Sequence, residues 1–292
     1  MKIYTIALIY LIPTIFCESF IPDDWISAQS PLTSTIYKDI TSKIPGINRH
    51  ARITRGKTAK LGQIPHQVLL YTTEEASSHT YLCGGSIISS NWILTAAHCI
   101  YKMSNATVYA GIIDRILGPA EWTASISKSQ LVPHELYSPD STLNDIGLVG
   151  AVNITFGPYV QKISIPTVKD AVTSLIRRLG DISGWGVTSY IGLAAQDLQY
   201  AQGPIVDNFM CVGYFGTDNV KDSHVCLDTR TGRSTCNGDS GGPLSVTISS
   251  RQVLVGIVSF GSAYGCELGI PAVFTRVSSH LDWIKGKTGL IN

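Results

Sequence analysis

The sequence predicts an all-β protein, and three observations carry that prediction. Glycine is abundant, with 27 residues in a chain of 292. Apolar residues seldom recur at helical spacing. They occur instead in strand-length runs bounded by turn residues. The clearest runs cover residues 67–71, 85–88, 107–111 and 253–260.

One segment near the C-terminus departs from this pattern. Val277, Leu281 and Ile284 share one helical face, with Trp283 beside them, which predicts a short C-terminal helix over 277–285. The stretch from residue 53 to residue 292 is long enough for two barrel-sized cores. We therefore expect two β units followed by one helix.

The first residues have the order of a secretory signal peptide rather than of a buried strand. Lys2 precedes an apolar run over 3–16, and small or polar residues follow at Cys17 and Ser19. That run is short for a bilayer span, so we expect residues 1–19 to be a signal cleaved near 17–19. Residues 20–52 lack periodicity and are rich in Ser, Thr and Pro, which is typical of a removable propeptide. The mature protein should be secreted and extracellular.

Cysteine usage agrees with export. Cys17 lies in the expected signal, and the other six of the seven cysteines suit three disulfides in an oxidising compartment. Their count alone leaves the pairing open. The sequence has no close cysteine pair and no His-x-x-x-His spacing, so we expect no metal and no other cofactor.

Charge and sequons define the expected surface. The net charge is +1 and 15% of residues are charged, so no field gathers nucleic acid or an anionic membrane, and neither is an expected partner. Asn105-Ala-Thr and Asn153-Ile-Thr are candidate glycosylation sites, expected on surface loops.

Three short motifs contain the residue types that nucleophilic catalysis needs. They are Cys-Asn-Gly-Asp-Ser-Gly-Gly-Pro-Leu at 236–244, Thr-Ala-Ala-His-Cys at 95–99 and Asn-Asp-Ile-Gly-Leu at 144–148. A serine hydroxyl needs a base to take its proton, and that base needs a carboxylate to fix its tautomer. Ser240, His98 and Asp145 fit these three roles.

Each motif alone has a simpler interpretation. Gly-Asp-Ser-Gly is an ordinary turn sequence, and most histidines lie on a surface or in a satisfied core. Three motifs together in one order favour the catalytic interpretation. For the other six histidines we keep the simpler interpretation, as surface or core residues.

On these motifs, in the order His, Asp, Ser, the chain resembles the chymotrypsin family of serine endopeptidases. The resemblance covers nearly all of the region after residue 52, and residues 259–277 are most similar to the invertebrate chymotrypsin-like, or brachyurin-like, branch. It implies two six-stranded antiparallel β-barrels, over 53–162 and 163–292, with the active site in the cleft between them. It also implies three disulfides: Cys83 with Cys99, Cys211 with Cys226 and Cys236 with Cys266.

The resemblance further implies an oxyanion hole and an activation switch. The hole would use the backbone N–H groups of Gly238 and Ser240. Ile53-Thr-Arg-Gly resembles the Ile-Val-Gly-Gly start of active family members, although it departs from that start at its second and third residues. Cleavage after Arg52 would free the Ile53 amine to neutralise Asp239, so the uncut chain should be a zymogen.

The residues assigned to substrate binding also follow from the resemblance. Position 234, six residues before the nucleophile, would form the base of the primary pocket, and a serine there disfavours a trypsin-like preference for Lys or Arg. Collagenolytic relatives often carry an acid where this chain has Ala272. The expected substrate-binding residues are Ser234, Asn237, Ser259, Phe260, Gly261 and Ala272.

These expectations amount to a serine endopeptidase that cleaves after bulky apolar or aromatic residues. Its partners would be protein or peptide substrates, an activating trypsin-like protease and protein protease inhibitors. Two alternatives stay open at this point. One is a cascade protease of narrow specificity, and the other is a non-enzymatic secreted homologue that uses the fold for binding.

Overall fold

A computed structural model describes residues 53–77, 79–189 and 192–290. The expected signal peptide, the propeptide and Arg52 lie outside the described residues. Among the residues that are described, no helix is both long and apolar enough to cross a membrane. The described residues form two antiparallel β-sheets with a few short helices.

The first sheet follows the order β6-β5-β2-β3-β4-β8-β7. In β5, buried and exposed positions largely alternate, and Ala106, Val108 and Ala110 face the core. That period of two is the one a half-buried strand requires. The strands are β2 (Gln67–Glu74), β3 (Thr80–Ile87), β4 (Trp92–Thr95), β5 (Met103–Ala110), β6 (Trp122–Ser127), β7 (Leu131–Pro133) and β8 (Gly147–Gly150).

The second sheet follows the order β1-β10-β11-β14-β13-β12-β9, and an additional β9–β10 pairing closes it on itself. The ring formed by β9 to β14 therefore has no open edge of its own on which another chain could pair, and the short β1 lies outside it. The strands are β1 (Lys57–Thr58), β9 (Leu179–Gly184), β10 (Gln199–Val206), β11 (His224–Leu227), β12 (Pro243–Ile248), β13 (Arg251–Phe260) and β14 (Ala272–Arg276).

The predicted two-barrel, all-β fold class is confirmed, although the strand count differs in detail. In the described part of the chain each sheet contains seven strands rather than six. In the first sheet, a 3-10 turn at Lys128–Gln130 separates β6 from β7. In the second, the short β1 adds a strand from the start of the described chain, because Lys57 pairs with Tyr200.

The ends of the described region cross between the two units. Ile53 is fully buried in the core of the second sheet, although it precedes the first sheet in sequence. Ile284 of the C-terminal helix packs in the core of the first sheet. The proposed division near residue 162 is therefore crossed at both ends, so neither sheet buries its apolar face with its own segment alone.

Three α-helices are present among the described residues: α1 (Val168–Ala171), α2 (Asn208–Phe215) and α3 (Leu281–Thr288). Thr167 caps α1, and its side chain accepts a hydrogen bond from the Asp170 N–H. The predicted C-terminal helix is present, but its first turn, Val277–His280, is a 3-10 helix and α3 follows it. The helix also ends three residues later than predicted, at Thr288.

The two candidate glycosylation sites differ in context. Asn153 lies in a loop and is exposed, as expected. Asn105 is exposed but lies within β5, opposite Ser127 of β6, and not on a loop. The sequence alone did not reveal this because an outward-facing strand position and a loop position can both be polar.

Candidate active site

His98 and Asp145 meet because the strands that carry them are paired. His98 follows the end of β4, Asp145 lies two residues before β8, and Leu94 of β4 pairs with Leu148 of β8. The His98 Nδ1 atom is 2.8 Å from Asp145 Oδ2, and the His98 backbone N–H donates to Asp145 Oδ1 over 2.9 Å. Two contacts from one residue fix both the position and the orientation of the carboxylate.

This pairing shifts the pKa of both groups. Burial alone would lower the pKa of His98, but the neighbouring Asp145 carboxylate outweighs it and raises that pKa above 6.5. For Asp145, burial opposes ionisation, whereas His98 and a second donor, Ser259, lower the pKa below 3.8. Asp145 is fully buried, so its negative charge is available to His98 and not to solvent. With Nδ1 engaged, Nε2 is the ring nitrogen left to act as a base.

Two contacts from the second sheet hold Asp145 in place. Ser259, in β13, donates its hydroxyl to Asp145 Oδ2 over 2.5 Å. Thr275, in β14, donates its hydroxyl to the Asp145 carbonyl oxygen over 2.7 Å. These contacts span 114 and 130 residues of sequence, so no local pattern indicated them. Ser259 thus contacts the acid as well as lining the cleft, and sequence reasoning missed the first of these roles.

Ser240 lies in the turn that precedes β12. Its carbonyl oxygen accepts a hydrogen bond from the Gly84 N–H of the first sheet over 2.7 Å. Gly238, two residues earlier, has φ +91°, a backbone conformation that favours glycine. Within the described residues, neither the N–H of Gly238 nor that of Ser240 donates to another protein group. These two N–H groups are therefore free to stabilise an anion beside the serine.

Asp239, between these two residues, is fully buried. Burial raises its pKa to about 7, although the backbone N–H groups of Cys236 and Gly186 donate to its carboxylate over 2.9 and 2.8 Å and act in the opposite direction. Gly184 and Gly186 allow the carboxylate to sit this close, because a Cβ on either residue would collide with it. No Lys or Arg pairs with Asp239 among the described residues. A cation placed beside the Asp239 carboxylate would therefore form an ion pair with it.

One cavity of about 570 Å³ connects the serine to the expected primary pocket. Ser240 and His98 lie along it, and Ser234, at the position expected for its base, is only 3% exposed. The Ser234 hydroxyl donates to the Thr235 carbonyl oxygen over 2.9 Å. Apart from Ser234, the expected substrate-binding residues that line the cavity are Asn237, Ser259, Phe260 and Gly261.

Ala272 is the exception among the expected substrate-binding residues. It is 2% exposed and pairs with Leu227 between β11 and β14. The described residues that line the cavity include Ile270 in its place. Ala272 belongs to the same buried cluster as Leu227 and Phe274, so its side chain lies in the core of the second sheet. The apolar residues that do line the cavity include Val258, Phe260 and Ile270.

Three disulfides brace this region. They join Cys83 to Cys99, Cys211 to Cys226 and Cys236 to Cys266, with Cα–Cα distances of 6.2, 6.2 and 5.5 Å. These are the pairs that the family resemblance implies. The first bridge follows His98 directly, and the third begins the loop that carries the serine.

One group of potential metal ligands lies near the site. Cys83, Cys99 and His98 bring three such atoms within 4.8 Å of one another. Both sulfurs are in the disulfide, so they offer no thiolate, and the imidazole is engaged with Asp145. The chemistry of this site rests on its side chains and backbone donors.

The fold and the site together define a hydrolase that acts through an activated serine. Comparisons with known proteins place it further. The family model described as Trypsin matches residues 53–284. The collagenase of Hypoderma lineatum is 34% identical over 243 residues, 83% of this chain and 90% of that protein. Brachyurin of Leptuca pugilator is 35% identical over 246 residues, 82% of this chain and 99% of that protein.

A solved structure agrees with these sequence comparisons. The structure titled HL collagenase aligns with a TM-score of 0.75 and 32% identity, over 82% of this chain and all of that one. The chain therefore belongs to the trypsin family and is a serine endopeptidase with the chymotrypsin fold. The resemblance to this family, and to its invertebrate chymotrypsin-like members, is confirmed.

Proposed function

We propose that this chain is a secreted endopeptidase, made as a zymogen, that cleaves peptide bonds after bulky apolar or aromatic residues through a Ser240, His98 and Asp145 triad. The observation that carries the proposal is the cavity that runs from Ser240 and His98 to an uncharged base at Ser234. This cavity brings the nucleophile Ser240, the proposed general base His98 and a site for one large side chain into one cleft.

The proposed reaction begins with attack of the Ser240 oxygen on the substrate carbonyl carbon. His98 Nε2 takes the hydroxyl proton, and Asp145 stabilises the resulting imidazolium across the 2.8 Å contact. The carbonyl oxygen becomes an anion, which the N–H groups of Gly238 and Ser240 stabilise. His98 then gives its proton to the leaving amine, and the acyl-enzyme remains. Water attacks that ester by the same route and releases the acid, which restores the serine.

The primary pocket supports an apolar specificity on energetic grounds. Burying a large apolar side chain contributes about 1.5 to 3 kcal/mol. A buried guanidinium without a carboxylate partner costs several kcal/mol, roughly 3 or more. Val258 and Ile270 line the cavity, and Ser234 at its base carries no charge. The cavity is open beside Gly261, where an added Cβ would meet no atom within 4 Å.

Activation is proposed to follow cleavage after Arg52. The released Ile53 amine would neutralise Asp239, the buried acid that has no described cation beside it. Two features support this. The Ile53 side chain is fully buried in the same core as Ile182, and Ile182 leads directly to the backbone that surrounds the Asp239 carboxylate. Because the neutral pocket disfavours Arg52, a separate trypsin-like protease is the proposed activator.

Secretion is supported by the three disulfides, which persist in oxidising compartments. Proteins or peptides are the substrates of a serine endopeptidase, and protein inhibitors that mimic a bound substrate would occupy the same cleft. N-terminal sequencing of the protein recovered from culture medium tests export. It should show a start after residue 19 in the precursor, and retention of the uncut chain inside the cell would contradict secretion.

The specificity test uses precursor cut with catalytic trypsin, which is then removed. A peptide library that varies only the residue before the scissile bond should be cleaved best at Phe, Tyr, Leu or Met. Ser240→Ala protein treated in the same way controls for residual trypsin. Faster cleavage after Lys or Arg by the cut wild-type protein would overturn the pocket assignment.

The same preparation separates the rival functions. A phosphonylating reagent should label Ser240 in the cut chain and hardly at all in the uncut chain, whereas a binding-only homologue would stay unlabelled in both. A cascade protease would cleave few library members despite full labelling. Native collagen is included as a substrate, because one relative is named a collagenase. Cleavage of native collagen would broaden the proposed specificity.

A further inference from the structure

Thr54, the second residue after the expected cleavage site, contacts the base of the primary pocket. Its Oγ1 accepts a hydrogen bond from the Ser234 N–H over 2.8 Å, and its hydroxyl donates to the Ser234 carbonyl oxygen over 3.3 Å. Thr54 is fully buried and Ser234 is 3% exposed. One side-chain hydroxyl therefore satisfies both the donor and the acceptor of the pocket-base main chain.

The rest of the segment packs on the same loop. The Gly56 N–H donates to the Ile53 carbonyl oxygen and closes a tight turn, in which Arg55 has φ +55°. The Arg55 side chain lies against Gly232, because a Cβ added to Gly232 would meet it at 2.8 Å. The turn thus places Thr54 and Arg55 against the chain that leads into Ser234.

This contact depends on a residue that departs from the family pattern. Active members of the family begin with Ile-Val-Gly-Gly, so the resemblance implies valine at position 54. Valine has nearly the shape of threonine but has no hydroxyl. With valine at position 54, the Ser234 N–H would stay buried but lose its hydrogen-bond acceptor. A buried donor without an acceptor is unfavourable. Threonine therefore adds a polar link that shape alone would not supply.

We propose that Thr54 is a positioning residue that couples the freed N-terminus to the primary pocket, because its hydroxyl holds the Ser234 main chain once Ile53 is seated. Ser234 itself is held at its side chain by Thr235, so Thr54 supplies the complementary constraint on its backbone. This inference rests on the proposed activation by cleavage after Arg52. It adds that the hydroxyl of residue 54, and not its shape alone, fixes the main chain at the base of the pocket.

The test compares Thr54→Val and Thr54→Ser with wild type, all cut after Arg52 and normalised by burst titration of competent serines. With a peptide amide that carries Phe before the bond, Thr54→Val should raise KM about tenfold and change kcat by less than about twofold. Thr54→Ser keeps the hydroxyl and should stay within about twofold of wild type. Para-nitrophenyl acetate, too small to use the pocket, should be hydrolysed equally by all three proteins.

The outcomes separate this inference from the proposed function. Wild-type KM in Thr54→Val would overturn the coupling and leave the proposed function intact. An equal loss of Thr54→Val activity on the amide and on the acetate ester would assign Thr54 a general structural role and overturn the coupling. Failure of Thr54→Ser to keep the wild-type KM would overturn the coupling as well. If cut wild-type protein cleaves no Phe substrate at all, the proposed function fails first.

Discussion

Cleavage after Arg52 should change how the stability of this protein depends on pH, and Asp239 sets the size of the change. In the described chain its pKa is raised from 3.8 to about 7 by burial. Each pKa unit corresponds to about 1.36 kcal/mol, so in this buried position, with no cation beside it, the Asp239 charge costs the folded chain roughly 4 kcal/mol. Because the folded-state pKa is the higher one, this loss of folding stability begins above pH 3.8 and is complete above pH 7.

The assay is urea unfolding of Ser240→Ala protein, which cannot digest itself, at pH 4 and pH 8. Uncut Ser240→Ala should lose up to about 4 kcal/mol between these pH values relative to an uncut chain that also carries Asp239→Asn. The asparagine does not titrate, and all other groups are shared, so the difference between the two pH slopes isolates Asp239. Any effect of the Asp239→Asn substitution that does not depend on pH cancels when the two slopes are compared.

Cutting after Arg52 should remove most of this slope. The freed amine of Ile53 would pair with Asp239, which lowers the pKa of the acid and raises that of the amine. The raised amine pKa means that the stabilisation is present at pH 7 and fades as the pH rises above about 8. Equal pH slopes in the two uncut chains would refute a buried, unpaired Asp239, and no gain in stability at pH 7 after cutting would refute its pairing with the freed amine.

Four further substitutions test the site. His98→Ala should lower kcat by about 10⁴ to 10⁶ in a folded protein, and activity within tenfold of wild type would remove His98 from the mechanism. Asp145→Asn should lower kcat by about 10⁴ and move the midpoint of the kcat/KM pH profile downward, because Asp145 raises the pKa of His98; an unmoved midpoint would contradict this. Ser259→Ala removes the 2.5 Å bond to Asp145 and should reduce kcat about tenfold, with unchanged kcat as the contrary result. Ser234→Asp should shift preference toward Lys or Arg in the peptide library, and an unchanged profile would mean that position 234 does not form the base.

The all-β fold class and the residues of the candidate triad could be predicted from the sequence because their signals are local. Strand-length apolar runs and the Gly-Asp-Ser-Gly-Gly turn each lie within a few residues. Even so, the limits of the strands moved, as when the 107–111 run became part of β5 at Met103–Ala110. Cross-strand pairing with β2 decides where such a strand begins, and pairing is not a local property.

The long-range parts of the site could not be predicted in this way. Thr275 donates to the backbone of Asp145, and Thr54 bonds to Ser234, from 130 and 180 residues away. A threonine is common in strands and turns, so its type carries no signal for such a contact. Ala272 shows the converse, since the family resemblance implied a place at the pocket wall, whereas in the structure its side chain is buried in the core of the second sheet.

The candidate site lies between the two sheets, and its residues are held by hydrogen bonds from both. Asp145 belongs to the first sheet, yet its carboxylate and its carbonyl oxygen are held by the second through Ser259 and Thr275. Ser240 belongs to the second, yet its carbonyl oxygen is held by Gly84 of the first. Each sheet thus orients a residue of the proposed triad that belongs to the other. Because the proposed acid and nucleophile are both held across the interface, the geometry of the site depends on the two sheets staying together. Ile53 and Ile284, each buried in the opposite unit's core, are among the packing contacts that join them.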